Sequence, residues 1–362
     1  MLYHGEITIL GMKMNIIKSL ITALLLSNTV MAIEPIQEEA GWSGFLVLGA
    51  GHLKYKNNEV AGSELVDVED KQINHLGSAS YQTTTLPVVT GTLRYTLENK
   101  KTELFVGNSL EDFLRMDATL ALGIRHDFDG IGILGVRILA SATPTEVWED
   151  PFLTGMDRTS TDRSSAGLGL KWERILDSKF DIDFRVRDVT FKNDINGLAL
   201  VDNLNAGSSA GANGEVFITD TQQKLLEREG ILASLELLYT WRVNQNNLLS
   251  PSVKYIVNDR DGKARDFSQA EVQLGHAFFN RKWLIATNVF VGQSEYDTEN
   301  PIFNEYEDKF YYGAGVNATY KRPFGWEHWG VNINASAIKG NSEIDFYDTS
   351  AYLVSLALAY NF

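Results

Sequence analysis

The 362-residue chain carries 32 Lys and Arg against 47 Asp and Glu, a formal charge of −15, and it has no cysteine. The acidic balance excludes a nucleic-acid binder, whose phosphate partner selects basic surfaces, and the missing cysteines exclude disulfide scaffolds, thiol catalysis and Cys-ligated zinc together. The length suits two ordinary domains or one large all-β unit, and a hydrophobic content of 44% does not choose between soluble and membrane forms, because a membrane barrel shows lipid only every second residue.

From Met14 the chain reads "MNIIKSLITALLLSNTVMA": Lys18, an apolar stretch over Leu20 to Leu26, and the ending Val30-Met31-Ala32. This is the layout of a secretory signal peptide cleaved after Ala32. The apolar stretch falls short of the roughly 20 residues that a spanning helix needs. Residues 1–13, with Met12 ahead of Met14, leave an upstream extension of the reading frame open. The expected organisation is a signal peptide over 1–32 and one domain over 33–362. No later segment approaches a transmembrane helix, so a membrane form must be a closed barrel.

Alternation with a period of two begins near Gly41 and recurs near Leu86 and Thr102. In "LRMDATLALGIRHDF" it puts Leu114, Met116, Ala118, Leu120, Leu122 and Ile124 on one face, with Arg115, Asp117, Thr119, Ala121, Gly123 and Arg125 on the other. Past the turn residues Asp129-Gly130, Leu134, Val136 and Ile138 oppose Gly135, Arg137 and Ser141. In "SSAGLGLKWERIL", Leu168, Leu170 and Trp172 oppose Gly167, Gly169, Lys171 and Glu173. In "KFDIDFRVRDV", Phe180, Ile182, Phe184 and Val186 oppose Asp181, Asp183, Arg185 and Arg187. Further runs begin near Gly230, Leu248, Phe267, Lys282, Lys309, His328 and Ser350; around "WLIATNVFVG" both faces are apolar and the orientation stays open. The count is about fourteen strands, or twelve if the segment at 102–109 is not a full strand.

The connections fall into two classes. "ENKK", "DG", "DSK", "NQNN" and "NRK" are brief and turn-forming, whereas long polar stretches lie at about 57–85, 143–163, 192–228, 295–308 and 340–349. Short turns on one rim and long loops on the other describe an outer-membrane barrel. Trp42, Trp172, Trp241, Trp283, Tyr312, Tyr320, Trp329, Tyr360 and Phe362 sit where an interfacial aromatic girdle is needed. The fold expected is therefore all-β: a transmembrane antiparallel up-and-down β-barrel in the outer membrane, in contact with its lipid. The terminal "LVSLALAYNF" must pair with the first strand to close the cylinder. It resembles the closing strand of bacterial outer-membrane proteins, which implies that the insertion machinery reads Phe362.

The least generic stretch is "TPTEVWEDPFLTGMDRTSTDR", residues 143–163, with Glu146, Trp148, Asp150, Pro151, Asp157, Arg158, Asp162 and Arg163 as candidate functional residues. A loop of this length without secondary structure is functional or disordered, and two prolines and two large aromatics argue against disorder. This box, the alternating strand pair before it, the "SSAGLGLKWERIL" after it and the N-terminal "GWSGFLVLGAG" resemble the bacterial family catalogued as domain of unknown function 2860. The resemblance implies an exported protein and supplies no catalytic residues.

The inward positions Arg94, Arg115, Asp117, Arg125, Arg137, Lys171, Glu173, Asp181, Asp183, Arg185, Arg187 and Glu236 are candidates to line a lumen. Mixed-sign rings of this kind set pore selectivity, which suggests a porin-like diffusion channel narrowed or gated by loop 143–163. Cross-strand pairing of the same charges could instead fill the interior. A surface-binding or structural barrel with acidic loops and no conducting path is the alternative. Catalysis is disfavoured because His52, His75, His126, His276 and His328 are scattered, with no Ser or Asp at motif spacing. No cofactor or metal site is expected: the histidines do not cluster, and "EYDTENPIFNEYED" lacks the glycine and ligand order of an EF-hand, so its acidity reads as solvation. Oligomeric state is not legible.

Overall fold

The computed structural model describes residues 35–63, 66–67, 70–108, 119–207 and 216–362. The expected signal peptide and the candidates Arg115 and Asp117 lie outside the described residues. In chain order the strands are β1 (Gly41–Lys56), β2 (Val60–Ser63), β3 (Val66–Asp67), β4 (Gln82–Thr96), β5 (Thr102–Asn108), β6 (Thr119–Phe128), β7 (Gly132–Ser141), β8 (Thr145–Trp148) and β9 (Ser160–Glu173). They continue as β10 (Phe180–Phe191), β11 (Gly230–Tyr239), β12 (Trp241–Arg242), β13 (Asn247–Arg260), β14 (Phe267–Phe279), β15 (Trp283–Tyr296), β16 (Lys309–Lys321), β17 (Trp329–Ser342) and β18 (Thr349–Asn361).

Setting aside the short β2, β3, β8 and β12, fourteen strands pair antiparallel to their neighbours and close into a barrel, with β1 against β18 from Phe45↔Asn361 to Lys56↔Ser350. The twelve-strand alternative fails because β5, though seven residues long, pairs with both β4 and β6. The period-two pattern carries the wall because exposure alternates with it: Leu120, Leu122 and Ile124, Leu134, Val136 and Ile138, Leu168 and Leu170, and Val354, Leu356 and Leu358 all point outward and are exposed. An outward belt of this kind is stable against lipid and not against water. No helix among the described residues is long and apolar enough to cross a membrane.

The register fixes the shape. One row of inward positions runs through Thr96, Glu103, Arg125, Gly135, Lys171, Asp183, Glu236, Lys254, Glu271, Gly292, Tyr311, Gly340 and Thr349. It starts opposite Gly41 and ends beside Ser350, the partner of Lys56, so one circuit climbs the whole of β1. For fourteen strands such a stagger corresponds to a tilt of about 40°.

The aromatic girdle at the short-turn rim is built from cross-strand pairs, Trp42–Tyr95, Trp283–Tyr320, Trp329–Tyr360 and Phe180–Tyr239, each with ring centroids 4.9 to 5.1 Å apart. The orientation left open in "WLIATNVFVG" is settled by packing. Leu284 and Ala286 face inward into an apolar cluster with Phe45, Phe279 and Ala359, which is why both faces of β15 are apolar.

The long loops differ from the expectation. The strands run further into them than the composition suggests: β4 begins at Gln82, β9 at Ser160, and β15 ends at Tyr296. The 143–163 stretch is also not structureless. Its residues 145–148 form β8, which pairs with β2 on one side and with the start of β9 on the other.

A charged lumen beneath a packed loop cap

The inner wall between β4 and β10 carries a connected series of ion pairs. Glu103, fully buried, receives Arg94 at 3.6 Å and Arg125 at 2.9 Å, and Arg125 reaches on to Glu173 at 3.4 Å. Lys171 approaches Glu173 at 3.7 Å. Asp183 is held by Arg137 at 2.5 Å and by Arg185 at 3.2 Å. Arg137 on β7 reaches Asp183 on β10 only by lying across β9, and β9 permits this because its residue there is Gly169. A Cβ at that position would stand 2.6 Å from Arg137 Nε. Gly167 makes similar room for Arg187, which donates to Thr119 Oγ1 and Ser165 Oγ. Asp181 sits at the short-turn end of β10, where it accepts the backbone N–H of Arg174. Glu236 stands in register between Asp183 and Lys254.

Above this wall, under the long loops, lies a chamber of about 420 Å³. Strand positions such as Arg163, Arg187, Lys254, Arg260 and Tyr311 line its sides, and Glu59, Val147, Arg228, Arg265 and Glu307 come from the cap. The sequence reading passes over Lys254, Arg260 and Glu271, although the same alternation that marked the other inward charges places them on the runs near Leu248 and Phe267. It also passes over the cap quartet. Arg265 bridges Glu59 at 2.6 Å and Glu307 at 2.7 Å, and Lys309 adds to Glu307 at 3.3 Å. No local spacing signals that quartet, since Glu59, Arg265 and Glu307 come from three separate loops and Lys309 from the start of β16. Glu307 is buried in it, so the acidic run "EYDTENPIFNEYED" is not wholly solvated: its end is a structural ion pair, and its Ile302 is core.

Burial works against ionisation of Glu59, but the combined field of Arg265, Lys309, Arg228 and Arg163 outweighs it and holds the carboxyl below the usual range. For Glu307 burial prevails, helped by Glu59, and its carboxyl is raised. Arg265 is held well above its ordinary value despite burial, because both carboxylates favour its charge.

The cap itself has a core. Phe152 is fully buried against Phe346, stacked at 4.9 Å, among Ile218, Leu226, Ile302 and Tyr347. Trp148 is buried under the Arg158 guanidinium, 4.4 Å from its ring. Arg158 also donates to the carbonyls of Asn58, Pro151 and Asp70, and burial lowers its pKa to about 10. Asp150 accepts the backbone N–H groups of Phe152, Gly197 and Ala199; burial nevertheless raises its pKa. Arg228 donates to the Trp148 and Glu149 carbonyls while pairing with Asp194 at 2.7 Å. Arg163 donates to Thr145 Oγ1, and Asp162 lies 3.8 Å from Lys192. Glu146 is half-buried on β8 and Asp157 is exposed. Among the box residues, Trp148, Asp150, Pro151 and Arg158 are thus gathered into the cap, whereas Asp157 is not. Among the described residues no group of His, Asp or Glu could hold a metal ion.

These features define a transmembrane β-barrel of the outer-membrane type, with an apolar exterior, a charged interior and loops folded over one mouth. The chain belongs to the family described as protein of unknown function DUF2860, whose model matches residues 41–361. No curated protein matches the sequence. Among solved structures, a Pseudomonas aeruginosa FadL homologue is similar at 13% identity and TM-score 0.44, covering 92% of this chain and 94% of its own. The outer membrane channel DcaP of Acinetobacter baumannii matches at 9% identity and TM-score 0.43, covering 89% and 98%. The CymD monoaromatic hydrocarbon channel matches at 10% identity and TM-score 0.41, covering 93% and 92%.

Proposed function

We propose that this barrel is a passive diffusion channel of the outer membrane, exported by cleavage after Ala32 and inserted through recognition of Phe362. In this reading the cap that includes residues 143–163 restricts its conduction. The observation that carries it is the chamber of about 420 Å³ lined by Lys, Arg and Glu side chains beneath the cap. An interior built only for stability would be better filled with apolar side chains, because buried ion pairs barely offset their desolvation. A wet, charged lumen is what solute passage needs. In planar bilayers the refolded mature chain should give discrete conductance steps, and deletion of residues 146–158 should enlarge them. Absence of steps from both proteins would sink the channel reading.

The competing reading is a surface-binding barrel without a conducting path, and the compactness of the cap around Phe152 favours it, since a rigid platform suits recognition. Protection of the acidic loops on intact cells from protease by added divalent cation would support that reading.

A further inference from the structure

The protein is acidic overall, with a formal charge of −15, yet the chamber under the cap has the opposite sign. Eight Lys or Arg side chains line it against two carboxylates, Glu59 and Glu307. The space below it, along the β4–β10 wall, shares Arg185 and Arg187 with the chamber and adds four further cationic side chains against three acidic ones. Some of the cations are engaged: Arg228 with Asp194, Arg185 with Asp183, and Arg265 with both cap carboxylates. Lys254 stands in register between Glu236 and Glu271. Arg163, Arg187 and Arg260 converge from three different strands and donate, among their contacts, to neutral oxygens: Thr145 Oγ1, Thr119 Oγ1 and the Gly230 carbonyl. Positive charge thus exceeds negative around this one space, whatever partners the individual groups have. A concave, low-dielectric wall of one sign focuses its field inward and concentrates the counter-ion.

We infer that the chamber is a binding site for a small organic oxyanion, a carboxylate or phosphate carrying two or more negative charges. Guanidinium forks match both oxyanions in planar, bidentate geometry, which lysines alone would not provide. The volume falls in the range of small-molecule sites, about 300 to 1,000 Å³. Tyr55, Phe191, Phe267 and Tyr296 supply apolar or amphipathic wall between the charges, which suits an organic framework better than a bare inorganic ion. As a transported solute class this rests on the channel reading; as a binding site it does not.

The test has two arms. In bilayers under a potassium chloride gradient, the full mature chain should show a reversal potential of the sign for chloride preference. Citrate should block that current, and the Arg187→Gln/Arg260→Gln double variant should require at least tenfold more citrate. A potassium-selective current, or one indifferent to citrate, would overturn the inference while leaving the channel reading standing. If no current is seen, the channel reading fails and the site is judged by calorimetry of the detergent-solubilised chain with citrate and with inorganic phosphate. Saturable citrate binding that weakens steeply with added salt is expected, with phosphate weaker if the organic wall contributes. Absence of heat with both probes overturns the site. Should the double variant fail to refold, two readouts carry the test: the salt dependence in the unmodified chain, and weakened citrate binding in Arg260→Lys, which keeps the charge and loses the planar fork. Salt-independent binding, or binding unchanged in Arg260→Lys, would overturn the inference.

Discussion

Gly169 and Arg137 show how far a single absent side chain reaches. The guanidinium crosses β9 to Asp183 only because that strand offers no Cβ, and both partners of the bridge are largely shielded from water. Gly169→Val should push Arg137 off the wall and leave Asp183 to Arg185 alone. The expected loss is about 2 to 3 kcal/mol, since breaking one side of a shielded pair strands the other. Urea titration of the refolded barrel should record it, and a variant as stable as the parent would mean that the bridge contributes nothing. Glu103→Gln tests the other end of the same series, where Arg94 and Arg125 converge on one buried carboxylate; a loss of about 3 kcal/mol is expected in the same assay. The sign pattern on these strands was legible because alternation puts every second residue indoors. The glycine lanes were not, because nothing in "AGLGLKW" says which neighbour lies across it.

At the scale of elements, the cap has a core of its own made from loops, and its short strands also pack on the wall, Val60, Val66 and Val147 against Leu53, Leu86 and Leu353. Phe152 and Phe346, almost two hundred residues apart in sequence, form its centre. Phe152→Ala should cost about 3 to 5 kcal/mol locally and expose the 143–163 segment to protease, while the barrel keeps its heat-resistant migration in detergent. Unfolding of the wall in this variant would show that cap and barrel are one unit. The quartet around Arg265 makes the cap pH-sensitive. The folded pKa of Glu59 lies below its ordinary 4.5, so its contribution is complete above that pH and is lost as pH falls through the folded value. Glu307 is shifted upward and takes its proton first, leaving Glu59 as the remaining charged partner of Arg265. The raised Glu307 acts in the opposite sense, favouring the folded cap as it takes its proton, so the loss from Glu59 shows only below about pH 4.5. Pepsin cleavage within residues 194–207 should rise there, and at higher pH in Glu59→Gln. Loop 143–163 was singled out by its prolines and aromatics, yet its short strand β8 could not be foreseen, because β8 exists only through pairing with β2, some eighty residues earlier.

For the whole molecule, the seam decides whether there is a barrel at all. Gly44 and Phe362 exchange both backbone hydrogen bonds at 3.1 Å, and a Cβ on Gly44 would lie 2.8 Å from the Phe362 ring. The terminal phenylalanine thus packs against the first strand where the cylinder closes. Deleting Phe362 should lower the yield of folded, heat-modifiable protein in the outer membrane, with unfolded chain accumulating in the periplasm. Unchanged assembly would remove the proposed role of this residue in insertion. The distribution of charge also belongs to this scale. An acidic chain encloses a basic chamber, a contrast that the net charge conceals because it sums over both surfaces.

Period-two alternation, written residue by residue, determined by itself that this chain forms long half-apolar strands, where most of them begin, and which side chains turn inward. That information is local, since a strand's two faces are set by backbone geometry alone. Which inward charges meet, that β15 turns its apolar Leu284 into the interior, and that six distant loops share one core around Phe152 were decided only when the sheet closed. Stagger and loop packing bring together residues whose separation along the chain carries no trace of the contact.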